Sequence, residues 1–430
     1  MASLMEVCRM AIDQDVLVVG GGLAGVTAAI AAARTGATTR LVSAKQSTLR
    51  NASGLVDVLG YTPAGEGPLV DPFEVIPTLH DEHPYRRAGL EALESGLALF
   101  DEVTAEQYVG GHTNANALVP TQVGTVKPTA RYPIGMAGGL ASDDRDVLLV
   151  GFERLPSFDA PLVADTLQET PVPFDARGVT TEFPIEVTPD AKVTRFATLL
   201  DRNRGPETDN VRRALAERIA ASLDGEQRVG LPAVLGLDDH GAVRETLERL
   251  LSVEVFEVPM EPPSVPGIRL EDRLFEALDE EGVRIETGTP VVEYTATDGS
   301  VESVGVDRGG RVVPYAADQF VLATGGLVGQ GLNSDRDGVV EPLFDCHVSQ
   351  PSDRYGWSED EAFGDHQFAR FGVEPDDEMR PQTADGDPEF DNLRAAGAVL
   401  GNYDYAAEKC ASGVSLASGF RAGTLAGEMA

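Results

Sequence analysis

Asp15-Val16-Leu17-Val18-Val19-Gly20-Gly21-Gly22-Leu23-Ala24-Gly25 is the stretch that decides how this chain folds. Residues 15–19 form a continuous apolar run of strand length. Residues 23–35 (LAGVTAAIAAART) are Ala-rich and helix-forming, and Gly36 is the natural stop. Residues 38–43 (TTRLVS) read as the next strand. The order is strand, glycine turn, helix, strand, the opening of a nucleotide-binding α/β unit. The turn satisfies G-x-G-x-x-G: Gly20 permits the tight bend, Gly22 lets backbone approach a pyrophosphate, and Gly25 lets helix and strand pack closely. The helix N-terminus then offers its positive dipole end to a phosphate.

In a dinucleotide site of this kind the second strand usually ends on Asp or Glu, which holds the adenosine ribose. Here the strand runs into Ser43-Ala44-Lys45. A hydroxyl and an ammonium suit a phosphate. That favours FMN, or a dinucleotide held differently, over FAD or NAD bound in the usual way.

Further along, residues 290–315 alternate with turn signals at Asp298-Gly299 and Gly309-Gly310, which predicts a short antiparallel meander. Gln319-Phe320-Val321-Leu322-Ala323-Thr324-Gly325-Gly326 is a strand running into a glycine turn. Asn392-Leu393-Arg394-Ala395-Ala396-Gly397 follows, then Gly401, and an Ala/Gly/Ser-rich helix over 412–428 begins near Gly413. Between these ends, residues 155–260 mix strands (TTEFPIEVT, SVEVFEVP) with helices (NVRRALAERIAASL, GAVRETLERLL) and read as a lobe of their own. PPSVPG (262–267) reads as a rigid connector before an amphipathic helix that ends at Gly282. The expected fold is therefore α/β. A Rossmann-like FAD/NAD(P)-binding domain, discontinuous over 13–80 and 265–430, carries the antiparallel meander, and an α/β lobe is inserted over 81–264.

Composition narrows the function. The 430 residues hold 70 Asp+Glu against 34 Lys+Arg, a formal net charge of −36. A chain this acidic repels phosphate backbones, and nucleic acid is excluded as a partner. Only four of the cations are Lys (Lys45, Lys127, Lys192, Lys409). Acid spread along the chain with little Lys resembles proteins that stay soluble in molar intracellular salt. No apolar run is long enough to span a membrane, and nothing near the start has signal-peptide form. Cys8, Cys346 and Cys410 are too far apart to make a disulfide scaffold or, within this chain, a cysteine-built metal or iron–sulfur site. No metal is expected. The segment before Met10 fits no fold element, which favours a start at Met10 over Met1.

Beyond the flavin motifs, the chain resembles the B subunit of anaerobic glycerol-3-phosphate dehydrogenase. The resemblance rests on Ser53-Gly54-Leu55-Val56-Asp57, His83-Pro84-Tyr85, Gly124-Thr125-Val126-Lys127 and Pro262-Pro263-Ser264-Val265-Pro266-Gly267-Ile268-Arg269-Leu270. It continues in Arg336-Asp337-Gly338-Val339-Val340-Glu341-Pro342, Met379-Arg380-Pro381 and Ala396 through Asp404, and it is weakest over 155–235. The resemblance implies a flavoprotein, associated with FMN, within a three-subunit complex that oxidises sn-glycerol 3-phosphate to dihydroxyacetone phosphate and passes electrons to quinone. It also implies two partners in that complex, one containing FAD and one carrying iron–sulfur clusters. The location implied is the cytoplasmic face of the cell membrane, reached only through those partners.

On this reading the cofactor-binding residues are Gly20, Gly22, Gly25, Ser43, Lys45, Ser53, Gly54, Ala323, Thr324, Gly325, Gly397, Gly401 and Gly413. A phosphorylated substrate needs cationic clamps, for which Arg269 and Lys127 lead and Arg336 and Arg380 follow. His83 is the first candidate for the base that takes the hydroxyl proton, ahead of His112. Two rival readings remain: a subunit that keeps the fold without its flavin and serves assembly, and a succinate- or aspartate-oxidase-like dehydrogenase. The second normally carries the acid that is missing after the second strand.

Overall fold

The computed structural model of the chain describes residues 11–362 and 364–430. The choice between Met1 and Met10, and Cys8, lie outside them. In chain order the main elements begin with β1 (Ile12–Val19), α1 (Leu23–Arg34), β2 (Thr39–Ser43), α2 (Pro84–Ala88) and α3 (Leu90–Thr104). Then come β3 (Val147–Phe152), α4 (Ala160–Gln168), β4 (Ala176–Thr181), α5 (Val193–Arg202), α6 (Val211–Ala220), β5 (Arg228–Pro232), α7 (His240–Leu251) and β6 (Glu254–Val258). The last are α8 (Val265–Glu280), β7 (Arg284–Thr287), β8 (Val291–Thr297), β9 (Ser300–Asp307), β10 (Val312–Leu322), β11 (Leu393–Ala395) and α9 (Ala411–Met429). They form two compact units. Among the described residues, one holds 11–48, 57–103, 273–362 and 364–430, and the other holds 49–56 and 104–272.

The first unit is built on a sheet in the order β7-β2-β1-β10-β9-β8, with β11 paired to β10. β1 lies parallel to β2 and to the second half of β10, matching Val16–Val19 with Gln319–Leu322. The first half of β10 turns back antiparallel on β9, and β9 on β8. β10 thus joins the parallel sheet to the meander. The meander turns stand where the sequence places them: Asp298 and Gly299 have φ of 51° and 83°, Gly309 and Gly310 of 70° and 90°. Val16, Leu17 and Val18 are fully buried, as strands covered on both faces require.

α1 is held against α9 by small residues. Gly419, Gly423 and Gly427 recur every four residues on α9. A Cβ at these positions would stand 2.5 Å from Ala24 O, 2.2 Å from Ala28 O and 2.3 Å from Thr35 Oγ1. The matching four-residue repeat on α1 lets the two backbones touch along their length.

The second unit has its own four-stranded sheet in the order β6-β5-β3-β4, parallel throughout. Its core includes Phe152, Phe196, Leu200, Leu215, Val229 and Leu247. Fully burying an aliphatic or Phe side chain stabilises by roughly 1.5–3 kcal/mol. Two local expectations change. TTEFPIEVT is a strand only to Thr181, because Pro184 cannot donate to a ladder. The connector PPSVPG is shorter than expected, because Val265 already starts α8 and Pro266 and Gly267 sit in its first turn. Among the described residues no helix is long and apolar enough to cross a membrane.

Candidate functional site

β1 ends at Val19, and Gly20 turns the chain with φ of 127°. A Cβ there would lie 2.0 Å from Ala323 O, so the glycine turn seats directly on the end of β10. Gly22 is the N-cap of α1 in extended conformation, without a side-chain cap and without acid in the first turn. The first amides of α1 are therefore left for an anion. These groups open on a cavity of about 300 Å3 within the first unit. Its floor is Gly20, Gly21, Gly22 and Leu23, and one wall is Val42 to Thr48 after β2. The other walls are Ala323, Thr324 and Gly325, the loop to Gly331, Glu341 to Leu343, and Ser415 of α9.

The sequence motifs thus converge: Gly20, Gly22, Ser43, Lys45, Ala323, Thr324 and Gly325 all line one space. Gly25 stands behind it, where a Cβ would be 2.0 Å from Gly20 O. Gly397 is also behind, donating to Ser418 Oγ at 2.9 Å, while its neighbours Ala396 and Ala398 face the cavity. Gly401 packs on Gly372. Gly413 does not line the cavity: its amide donates to Asp57 O at 2.7 Å, and Ser412 N donates to Asp57 Oδ1 at 3.0 Å. Asp57 takes the first amides of α9, so that helix meets the cavity through Ser415. Ser53 and Gly54 belong to the second unit, where Ser53 Oγ accepts from Leu55 N and Gly54 packs on Pro266 and Pro133.

Charge at the cavity is cationic after β2 and buried-acidic on the far wall. Ser43 Oγ donates back to Lys45 O at 2.7 Å, and Lys45 Nζ donates to Gln330 Oε1 at 3.2 Å. Glu341 is fully buried. Its carboxylate accepts from Leu343 N at 2.9 Å and Phe344 N at 2.8 Å. Burial pushes its pKa up, and those amides oppose the rise. Thr324 Oγ1 is buried in the wall with no hydrogen-bond partner. Sequence reading missed Gln330, Glu341 as a wall residue, and Ser415. Only the run of glycines around Gln330 signals a loop of close approach.

Three of the candidate catalytic residues, His83, Arg269 and Arg380, have other commitments. His83 is fully buried, its Nδ1 accepting from Tyr85 N at 3.1 Å. That fixes the proton on Nε2, which faces Glu408 Oε2 at 3.1 Å. The ring spans two chain segments and has no free lone pair for a substrate. The same tautomer argues against a metal at His83, Glu408 and Cys410, although their ligand atoms lie within 4.8 Å of one another. A ligating imidazole would offer Nε2 and donate from Nδ1.

In the second unit, Arg269 makes a bidentate pair with Glu257, at 2.7 Å and 3.0 Å, and donates through Nε to Gly236 O at 2.8 Å. Burial pushes Glu257 up, but Arg269 outweighs it and holds the carboxyl below its usual range. Burial, then Arg269, pushes His240 down. Lys127 is half-buried on the short strand Val126–Thr129, opposite Val119. Arg380 is paired with Asp376 at 2.8 Å, and Arg336 and His112 are exposed.

A flavin fits this donor set. The bare amides and Gly20–Gly22 backbone suit its phosphate, and Thr324 Oγ1 lacks the partner that a ring heteroatom provides. The apolar walls at Val19, Val42, Val291 and Leu343 suit its ring.

The sequence matches the FAD binding domain family over residues 15–414. It is 59% identical to the probable B subunit of anaerobic glycerol-3-phosphate dehydrogenase from Halobacterium salinarum, over 97% of this chain and 99% of that protein. It is 31% identical to the B subunit of anaerobic glycerol-3-phosphate dehydrogenase from Pectobacterium atrosepticum, over 94% and 96%. Among solved structures it is similar to 3-ketosteroid delta1-dehydrogenase from Sterolibacterium denitrificans. There the identity is 13% and the TM-score 0.46, over 97% of this chain and 99% of that one.

Proposed function

We propose a function from one premise: the chain belongs to the FAD binding domain family and, within it, to the B subunits of anaerobic glycerol-3-phosphate dehydrogenase. It is a flavoprotein subunit of that dehydrogenase, and its sequence is that of a halophile's protein. The finer reading is that FMN occupies the cavity. The observation that carries it is the wall after β2, where Ser43 and Lys45 stand in place of an acid for the adenosine ribose. FAD, the cofactor that names the family, is the alternative.

Bound flavin would supply a two-electron acceptor. The chain holds its phosphate on the first amides of α1, and Lys45 balances the phosphate charge. Thr324 Oγ1 donates to the ring, and Val42, Val291 and Leu343 keep water from it. The complex oxidises sn-glycerol 3-phosphate to dihydroxyacetone phosphate. The partner subunits, one containing FAD and one carrying iron–sulfur clusters, would relay electrons to quinone and hold the chain at the cytoplasmic face of the membrane. Lys127 is the lobe cation we assign to the substrate phosphate. Arg269 serves as a positioning residue, and His83 serves the fold.

The test is anaerobic addition of sn-glycerol 3-phosphate to the complex co-purified in molar KCl. Bleaching should account for every flavin in the complex, including the one on this chain. Bleaching of the partner's flavin with this chain's flavin left oxidised would remove it from the electron path and favour an assembly role.

A further inference from the structure

Four arginines are buried among the described residues: Arg40, Arg131, Arg228 and Arg394. Three have oxygen partners to match their charge. Arg40 pairs with Glu286 and Gln14. Arg131 donates to the carbonyls of Gly110 and Ala130. Arg228 donates to those of Gly138, Leu140, Asp143 and Arg145. Arg394 is different. It is fully buried on β11, and its side-chain partners are the amide oxygen of Gln319 at 2.5 Å and the thioether sulfur of Met429 at 2.8 Å. Its Nε has no partner.

A second guanidinium stands in the same seam between β11 and α9. Arg421 lies three residues after Ser418, whose hydroxyl accepts Gly397 N–H, and eight before Met429, so its face of α9 is turned to β11. Its Nε is also buried without a partner. Burial pushes the Arg394 guanidinium down; Glu378 and Asp376 act against that from a distance, and Arg380 and Arg421 add to it. The nearest acids, Asp376 and Glu378, are already engaged by Arg380. In a chain with twice as many acids as bases, two like charges thus share a seam, and among the described residues no carboxylate is hydrogen-bonded to either. A buried charge is stable only when paired.

We propose that this seam is an inorganic anion site, in which chloride accepts from Nε–H of Arg394 and Nε–H of Arg421. The full burial of Arg394 calls for a small partner, and a halide is the smallest anion available. A composition suited to molar salt means that chloride is abundant around the folded chain.

The test uses the holoprotein in two ways. Crystals transferred to potassium bromide should show one anomalous peak between the two Nε atoms. In solution, melting in 1 M potassium chloride should exceed that in 1 M potassium methanesulfonate by about 3 °C, the size expected for an ion well above its Kd. Arg394→Met and Arg421→Gln should each lose that chloride-specific rise while keeping the flavin. Arg421 is only half-buried, so its variant remains informative if Arg394→Met fails to fold. No bromide in the seam, or the same response to chloride in wild type and Arg421→Gln, overturns the site.

Discussion

Gly25→Ala protein should emerge from purification with less than a tenth of the wild-type flavin, and its first unit should be destabilised by about 3 kcal/mol. The added methyl would stand 2.0 Å from Gly20 O and 2.9 Å from Gly20 C, backbone atoms that cannot rotate away. Gly20 cannot retreat either. Its own Cα faces Ala323 O, and its amide donates to Val42 O at 2.8 Å. Relief requires α1 to lift from β1, which moves the amides that meet the phosphate. The control is Gly241→Ala, where an added Cβ meets nothing within 4 Å on α7. That change should alter stability by less than about 0.5 kcal/mol. Flavin absorbance per chain and thermal melting of both variants check the pair. A Gly25→Ala protein that keeps its flavin and its melting temperature would mean that the glycine turn is not what seats the cofactor.

Arg269→Ala should destabilise the second unit by about 3–5 kcal/mol, the cost of leaving a buried carboxylate unpaired. The Glu257 side chain is 1% exposed and has no water to turn to. Replacing both partners, as Arg269→Met with Glu257→Leu, should recover part of the loss, because the buried Leu235 N–H then lacks its acceptor. The pH dependence has a definite sign. In the wild type Glu257 is held below its unfolded value of 4.5. The stabilisation it contributes is therefore present above pH 4.5 and disappears as pH falls through the lower folded value. In Arg269→Ala, burial is opposed only by the Leu235 N–H bond and His240, and it raises the folded value. The variant should then gain stability as pH falls from 7 toward about 5, where the wild type does not change. Melting of the two proteins across that range measures it. A loss under about 1 kcal/mol with no reversal of the pH trend would show that Arg269 is not committed to Glu257 and is open to an anion.

Much of the first unit was legible because its signals are steric and local. A G-x-G-x-x-G between an apolar run and an Ala-rich helix has few other uses, and Asp298-Gly299 and Gly309-Gly310 require the positive φ they adopt. Close approach also explains why Ala323, Thr324 and Gly325 could be read as wall residues. What was not legible came from pairings distant in sequence. β7 joins the far edge beside β2, some 240 residues away, without a mark in either strand. The same holds for Ser415 and Glu341, which reach the cavity from separate segments. Arg269 reads as an anion clamp because nothing local shows that Glu257, on a buried strand, already neutralises it. His83 reads as a base because a sequence shows the imidazole and not its tautomer. Gly413 reads as a flavin contact because Asp57, the residue that takes its amide, is 356 positions earlier.

The most direct test of the account is the visible spectrum of this chain purified alone in molar KCl, with its acid-released cofactor identified by chromatography. The expected result is a flavin spectrum and one FMN per chain, lost in Gly25→Ala. FAD at the same stoichiometry would keep the flavoprotein and overturn the reading of Ser43 and Lys45. Folded protein with no flavin, alone and in the co-purified complex, would contradict the central claim and leave the chain as a structural subunit.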